Sequence, residues 1–232
     1  MTRRIAAICV LLSLGVIFVV VALNFRERIS LPPLAAKYVE LVPSELGAPN
    51  VITGILLNYR ALDTLGEVAV LFMVAAGIGL LLAPGKQPGR EEEQDNSKSE
   101  PSTEIVRNGA DILVPLIALF AVYIVLHGHL GPGGGFQGGA VIASCLILTL
   151  LARPDYRIKL ANLSFAESLA GVFIVLVGVA GLFFAGGFLD SRVLPPGQFG
   201  ELFSAGAIPI LSVLLGVKVG CELSVIIERF RA

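Results

Sequence analysis

The sequence has no tryptophan, two histidines and three cysteines among 232 residues, and only 15% of its residues are charged. Cys9, Cys145 and Cys221 are far apart, and each lies within an apolar run. This spacing lacks the CxxC pairs of zinc and iron–sulfur sites, so we expect no metal, no cofactor and three buried, reduced thiols. The missing tryptophan removes a main residue of interfacial aromatic belts.

Charge of either sign is scarce and nearly balanced. The net charge is −1, which gives no basis for nucleic-acid binding. Hydrophobic residues make up 55% of the chain, above the roughly 45–50% of soluble domains. The mean hydropathy is +0.84. Together these values predict an integral membrane protein.

Long apolar runs divide the chain into about six predicted transmembrane helices. A helix of roughly 20 apolar residues crosses the hydrocarbon layer. The predicted fold class is an all-α integral membrane protein with a two-span N-terminal part and a four-span C-terminal bundle. The predicted spans are residues 5–23, 63–83, 112–126, 136–151, 168–189 and 202–227.

The first run follows the basic residues Arg3 and Arg4, a pattern shared by signal peptides and anchors. Residues 5–23 would form a helix roughly 28 Å long, which fits the hydrocarbon layer. We therefore expect an uncleaved anchor. Residues 24–60 are rich in charge and proline and should not span, and residues 51–59 should form a re-entrant or interfacial helix.

Two acids open the second run. Asp63 and Glu67 are one helical turn apart, so like charges share a face, and at least one should bind a proton tightly or have a cationic partner. Acids at a helix N-terminus also interact favourably with the helix dipole. We favour this capping role for Asp63 and a functional role for Glu67.

The stretch LHGHLGPGGGFQGG, residues 126–139, joins the third and fourth spans. It lacks the Lys-Ser/Thr ending of a phosphate loop and follows no strand. We expect a packed turn in which glycine lets backbones approach closely, formed by Pro132, Gly133, Gly134, Gly135 and Phe136.

Both histidines of the chain, His127 and His129, lie in this stretch. On a helix they would face different directions, so a metal site would need partners that are not visible nearby. Polar packing at an interface and proton relay remain the two main interpretations.

The last run, GVKVGCEL at residues 216–223, contains Lys218 and Glu222 one turn apart. Each charge at membrane depth costs at least about 2.5–3.5 kcal/mol, so such positions are functional candidates, and an ion pair that orients the bundle is the structural alternative. Lys218 should face protein or a hydrated cavity. Glu167 and Glu201 are placed at span edges, as ordinary solvated acids.

Residues 84–104 contain almost no apolar side chain and should be a disordered tether. The predicted domains are residues 1–83, this linker, and residues 105–232. Lys and Arg are more numerous in the loops that would share a side with the linker, so we expect it and both termini in the cytoplasm.

The segment GPGGGFQGG, residues 131–139, closely resembles the B subunit of Mrp-type sodium/proton antiporters, the MnhB family, and the F-type subunit of ion-translocating hydrogenases. Residues 105–230 look like such a subunit throughout, with four spans and an acidic last helix. NVITGILLNYRALDTLGE, residues 50–67, resembles the last two spans of the large, A-type antiporter subunit, which in hydrogenases form a separate E-type subunit. The order of the two pieces predicts a fusion.

This resemblance implies a non-catalytic subunit of a cation/proton antiporter module, within a hydrogenase-like respiratory complex of a prokaryotic plasma membrane. It places Asp63 and Glu67 on a sodium or proton route, to which we add the two histidines, Lys218 and Glu222 as candidates. Implied partners are other antiporter-type and respiratory membrane subunits and the lipid bilayer. A structural adaptor between larger subunits and a component of a free-standing antiporter are the alternatives.

Overall fold

The computed structural model describes residues 2–25, 30–82 and 102–231. Every regular element in these ranges is helical, and six helices are long and apolar enough to cross a membrane, which confirms the predicted fold class. These helices are α1 (Thr2–Asn24), α4 (Ala61–Leu81), α5 (Glu104–Leu126), α6 (Gly135–Ala152), α7 (Leu160–Phe184) and α8 (Ile208–Arg231). Residues 83–101, which include most of the predicted linker of residues 84–104, lie outside the described residues.

The chain forms two compact units, Met1–Lys37 and Tyr38–Ala232. The first contains α1, which has 23 residues and is roughly 35 Å long at 1.5 Å per residue. The second contains α4 to α8 and the short helix α3 (Val51–Gly54). The helix α2 (Pro33–Leu41) begins at a proline, which is tolerated in the first helical turn.

Residues 42–59 do not cross the membrane as one helix. Val42–Leu46 and Ile55–Tyr59 wind as π-helical turns on either side of α3. Thr64 donates a hydrogen bond to the Leu56 carbonyl at 2.7 Å, which attaches the second of these turns to the start of α4. The segment is short and helical, and its re-entrant or interfacial position stays a prediction.

Three predicted spans begin at the wrong residue. The helices α5 and α7 each start eight residues before the predicted position, at Glu104 and Leu160, because polar residues at their ends were taken for loop. The last helix starts later, at Ile208 rather than residue 202. The backbone before it is not helical, since Ala205 has a φ of 66° and Gly206 a φ of 59°.

The cysteines are less buried than their apolar surroundings in the sequence predict. Cys9 is exposed on α1, and Cys145 and Cys221 are half-buried. The expectation of three buried thiols was therefore wrong. An apolar run in a membrane helix has a face that contacts lipid, so apolar neighbours along the chain do not place a residue inside the protein.

The last helix, α8, is the centre of the larger unit. It packs against α4, α5, α6 and α7. Of its most apolar stretch, 56% is buried, compared with 17–33% for those four helices, so the other helices surround it. Its buried side chains join an apolar core that also includes Val42, Leu46 and Ile174.

Glycine brings α6 and α8 into backbone contact. A Cβ atom at Gly135 would lie 2.3 Å from the Ser212 carbonyl oxygen, and one at Gly139 would lie 2.9 Å from the Gly216 carbonyl oxygen. No side chain fits in these spaces without a shift of the backbone. The turn before α6 ends at Gly134, whose φ of 145° is rarely adopted by other residues. The turn is therefore closely packed, as its glycines predict.

Candidate ion site

Three charged side chains meet beside the central helix. The Lys218 ammonium nitrogen lies 2.6 Å from Oε1 of Glu222, on the next turn of α8, and 3.5 Å from Oε1 of Glu167 on α7. Glu222 is fully buried, and Lys218 and Glu167 are each 7% exposed. We call these three residues the buried charge cluster. The ion pair inferred from the spacing of Lys218 and Glu222 is present.

Glu167 is the member of the buried charge cluster that sequence reasoning missed. It was placed at the edge of a span as a solvated acid, and this was wrong. Because α7 begins at Leu160, Glu167 lies two turns inside the helix and is buried. The signal that could have located it is the start of α7: once residues 160–167 are helical, an acid lies inside a spanning helix and becomes a functional candidate.

A groove leads to this cluster from the surface of the chain. It lies between α4 and α7 and has a volume of about 500 Å³. Glu167 and Lys218 are its charged lining residues, and nearly all the others are apolar. The ammonium of Lys218 is also 5.7 Å from the ring centroid of Phe72 on α4, a favourable cation–π distance.

Asp63 and Glu67 have different surroundings, although both are exposed on α4. Asp63 forms an ion pair with Arg60 at the end of the helix. Glu67 lines a second cavity, of about 350 Å³, together with Thr53, Gly134 and other residues of the glycine turn. No lining residue is common to this cavity and the groove. The structure thus brings Glu67 to the glycine turn but does not join it to the buried charge cluster.

The histidines follow α5 in the turn, rather than lying on a helix. The ring of His127 stacks on Tyr123 at 4.3 Å between centroids. His129 is fully buried, and its Nε2 is 3.4 Å from the Glu201 carbonyl oxygen. Across the described ranges, no three His, Cys, Asp or Glu side chains converge as metal ligands.

Asn50 fastens the glycine turn to α3, a role that sequence reasoning missed. Its side-chain amide donates to the carbonyl oxygens of Gly128 and Gly131 at 2.8 and 2.7 Å. Its Oδ1 accepts from the first backbone N–H groups of α3 as a helix cap. Thr53 adds a hydrogen bond to Gly128, at 2.6 Å. The N-terminal segment is thereby bonded to the turn of the C-terminal bundle.

Charged groups also meet in the loops beside α3. Asp190 accepts hydrogen bonds from Arg192, and these lower the pKa of the Asp190 carboxyl. Tyr59 donates to Glu45 at 2.7 Å. Burial, followed by this carboxylate, raises the pKa of Tyr59 to about 12. These pairs lie outside the spanning helices and hold the loops together.

Acid is expected to destabilise the protein through His129. Burial lowers the pKa of this histidine below 6.5, so the folded protein binds its proton less readily than the unfolded chain does. The stability that comes from keeping His129 neutral is fully present above about pH 6.5. It is lost as the pH falls through the lowered pKa of His129. The melting temperature should therefore drop between about pH 7 and pH 5.

The test compares His129→Gln with the wild type. The drop in melting temperature on acidification should be smaller in His129→Gln. An equal drop in His129→Gln and the wild type would assign the acid sensitivity to other groups.

Protein-family comparisons match both the N-terminal and the C-terminal part of the chain. Residues 105–225 match the family described as a domain related to the MnhB subunit of Na⁺/H⁺ antiporter, and residues 2–96 match MbhE, the family of the E-type MBH subunit. A chain of the archaeal membrane-bound sulfane sulfur reductase, a respiratory membrane complex, is 36% identical over 99% of this chain and 98% of its own length, with a TM-score of 0.79.

Two further relatives cover most of this chain. An uncharacterized protein of Methanocaldococcus jannaschii is 29% identical over 76% of this chain and 74% of its own length. A probable A/B-type K⁺/H⁺ antiporter subunit of Rhizobium meliloti is 26% identical over 92% of this chain, which spans only 23% of that protein. The chain therefore belongs to the family related to the MnhB antiporter subunit, joined to a preceding segment of the MbhE family.

Proposed function

We propose that this protein is a non-catalytic membrane subunit of a cation/proton antiporter module within a respiratory membrane complex, and that it forms part of the ion route. The observation that carries the proposal is the buried charge cluster. A membrane helix that contains Lys218 and Glu222 has a large insertion cost, and intramembrane charges mark ion pathways in transport proteins. The relatives named above include an antiporter subunit and a respiratory complex.

Glu67 is a second candidate on the route. It is an acid on a spanning helix, and it lines a cavity that contains the backbone of the glycine turn. A carboxylate on the outer face of α4 would be costly against lipid, so we propose that another subunit or water covers it. Asp63 has a local partner in Arg60, which fits a role in helix capping.

We also propose the domain division, the location and the partners of the protein. The domains are residues 1–83 and 105–232 with a cytoplasmic linker between them, and the protein resides in a prokaryotic plasma membrane with both termini in the cytoplasm. Its partners are antiporter-type and respiratory membrane subunits, the lipid bilayer, and sodium ions or protons. A structural adaptor is the second candidate function, because Lys218 also ties α7 to α8.

The test measures ion-coupled transport by the assembled complex in liposomes. Glu67→Gln keeps the size of the side chain but cannot titrate, so it should leave assembly intact and lower transport much more than Asp63→Asn does. Glu67→Asp should retain part of the activity because a titrating group remains. Equal transport by Glu67→Gln and wild type across pH and sodium concentration would remove Glu67 from the route.

A further inference from the structure

We propose that the buried charge cluster is a binding site for one exchangeable proton, which enters through the groove between α4 and α7. The inference rests on the proposed function, because it names the ion that this part of the route would handle. It depends on three observations: the number of charges in the cluster, an unpartnered carboxylate oxygen, and the groove.

The cluster contains two carboxyl groups and one ammonium group. If all three are ionised, one negative charge is left over on side chains that are each more than nine-tenths buried. A buried charge without a partner is strongly unfavourable. Binding one proton makes the cluster neutral, with one carboxylic acid and one carboxylate–ammonium pair.

Among the described residues, no further cation lies at the cluster. The helix α6 has no charged side chain. On α4, the residue that faces the Lys218 ammonium is the uncharged Phe72. On α8, the other titratable side chain near the cluster is the thiol of Cys221. Arg229, farther along α8, donates instead to the Ala75 carbonyl oxygen at 2.9 Å. Neutralisation within the cluster therefore requires an ion from outside it.

One carboxylate oxygen of the cluster is unpartnered. Oε2 of Glu222 is buried and has no hydrogen-bond partner among the described residues. Oε1 of the same group already accepts from Lys218 at 2.6 Å. Buried polar atoms are rarely left without a partner, so this oxygen needs an explanation. It is a place where a proton can reside.

The chemistry of the cluster favours a proton over a metal cation. Hard cations are held by several oxygen ligands. Here the two nearest carboxylate oxygens, Oε1 of Glu167 and Oε1 of Glu222, both face the same ammonium group. A sodium ion at these oxygens would be repelled by Lys218. A proton needs only one oxygen and no coordination shell.

Exchange can proceed by a balanced acid–base step. A hydronium ion in the groove gives its proton to a carboxylate of the cluster, which forms one O–H bond and leaves a water molecule. Lys218 then pairs with the carboxylate that stays ionised. The ammonium already lies 2.6 Å from one carboxylate and 3.5 Å from the other, so this change of partner needs only a small movement. Release to water in the groove reverses the step.

Infrared spectroscopy of the purified, assembled complex tests the inference. The wild type at neutral pH should show the carbonyl stretch of a protonated carboxylic acid, which shifts in D₂O and fades at high pH. The band should be absent from both Glu222→Gln and Glu167→Gln, since each leaves one carboxylate for one ammonium. Asp111→Asn is the control and should retain the band, because Asp111 is an exposed acid that pairs with Arg153 outside the cluster.

The outcomes separate this inference from the proposed function. Absence of the band from the wild type, or its survival in both cluster variants, overturns the one-proton site even if those variants lose transport. A band that disappears as expected supports the site, and transport by the same variants then decides whether the site lies on the ion route. Two independent variants keep the test valid if one fails to assemble.

Discussion

Lys218→Met is expected to lower the free energy of unfolding by about 3–5 kcal/mol, the usual effect of removing one partner from a buried ion pair. Methionine keeps much of the length of the lysine stem but leaves Glu222 and Glu167 buried without their counter-charge. Among the described residues, Lys218 is the one cation paired with these two acids, so no other group replaces its charge. Denaturant unfolding of the purified protein in detergent measures the loss, with exposed Lys159→Met as the control.

A second substitution should restore most of the lost stability. In Lys218→Met/Glu222→Gln both members of the close pair are neutral, and neutral replacement of both partners in a buried pair is often tolerated. Glu167 is then the one carboxyl group left in the cluster, and it lines the groove. A double variant as unstable as the single variant would contradict this account, because the loss would then come from packing rather than from unpaired charge.

The ion pair between Lys218 and Glu222 could be inferred from the sequence, because its two residues are close together along the chain. Lys218 and Glu222 are one helical turn apart, and the insertion cost requires them to face protein. Glu167 is far along the chain, and only the packing of α7 on α8 shows that it joins them. Recognising Glu167 also required the correct start of α7. Hydropathy defines helix ends least well, because polar residues extend helices beyond the apolar layer.

The fold was predictable to the level of span number for a similar reason. Each span is set by a local property, a run of apolar residues as long as the bilayer is thick. Which helices pack against one another is not a local property of the sequence. Gly135 and Gly139 on α6, for example, fit against the backbone of α8, and this fit depends on the relative position of the two helices. The glycine turn was recognised, but its contacts required the structure.

Asn50 illustrates the same limit. Its amide bonds to residues 78 and 81 positions away along the sequence, in the predicted second domain. From the sequence, Asn50 before an apolar run indicates only a helix cap. The structure adds that the same side chain spans the junction between the segment related to MbhE and the one related to MnhB.

Asn50→Ala is therefore expected to destabilise the protein by about 2–4 kcal/mol, the sum of a lost helix cap and a carbonyl left without its donor. Gly131 loses the amide that bonds to it, whereas Gly128 keeps the hydroxyl of Thr53. The measurement is unfolding in detergent, with Asn162→Ala, an exposed asparagine at the start of α7, as the matched control.

A second variant separates the two functions of Asn50. Asn50→Ser can still cap α3 through its hydroxyl but is too short to reach both carbonyl oxygens of the turn. It should lose less stability than Asn50→Ala, while the turn becomes more open. Hydrogen exchange should then increase at the Gly134 amide, which donates to the Ile124 carbonyl oxygen at 3.2 Å across the turn. If Asn50→Ser matched the wild type in both stability and exchange, the asparagine would be a helix cap alone, and the junction would depend on the packing of α4 against α8.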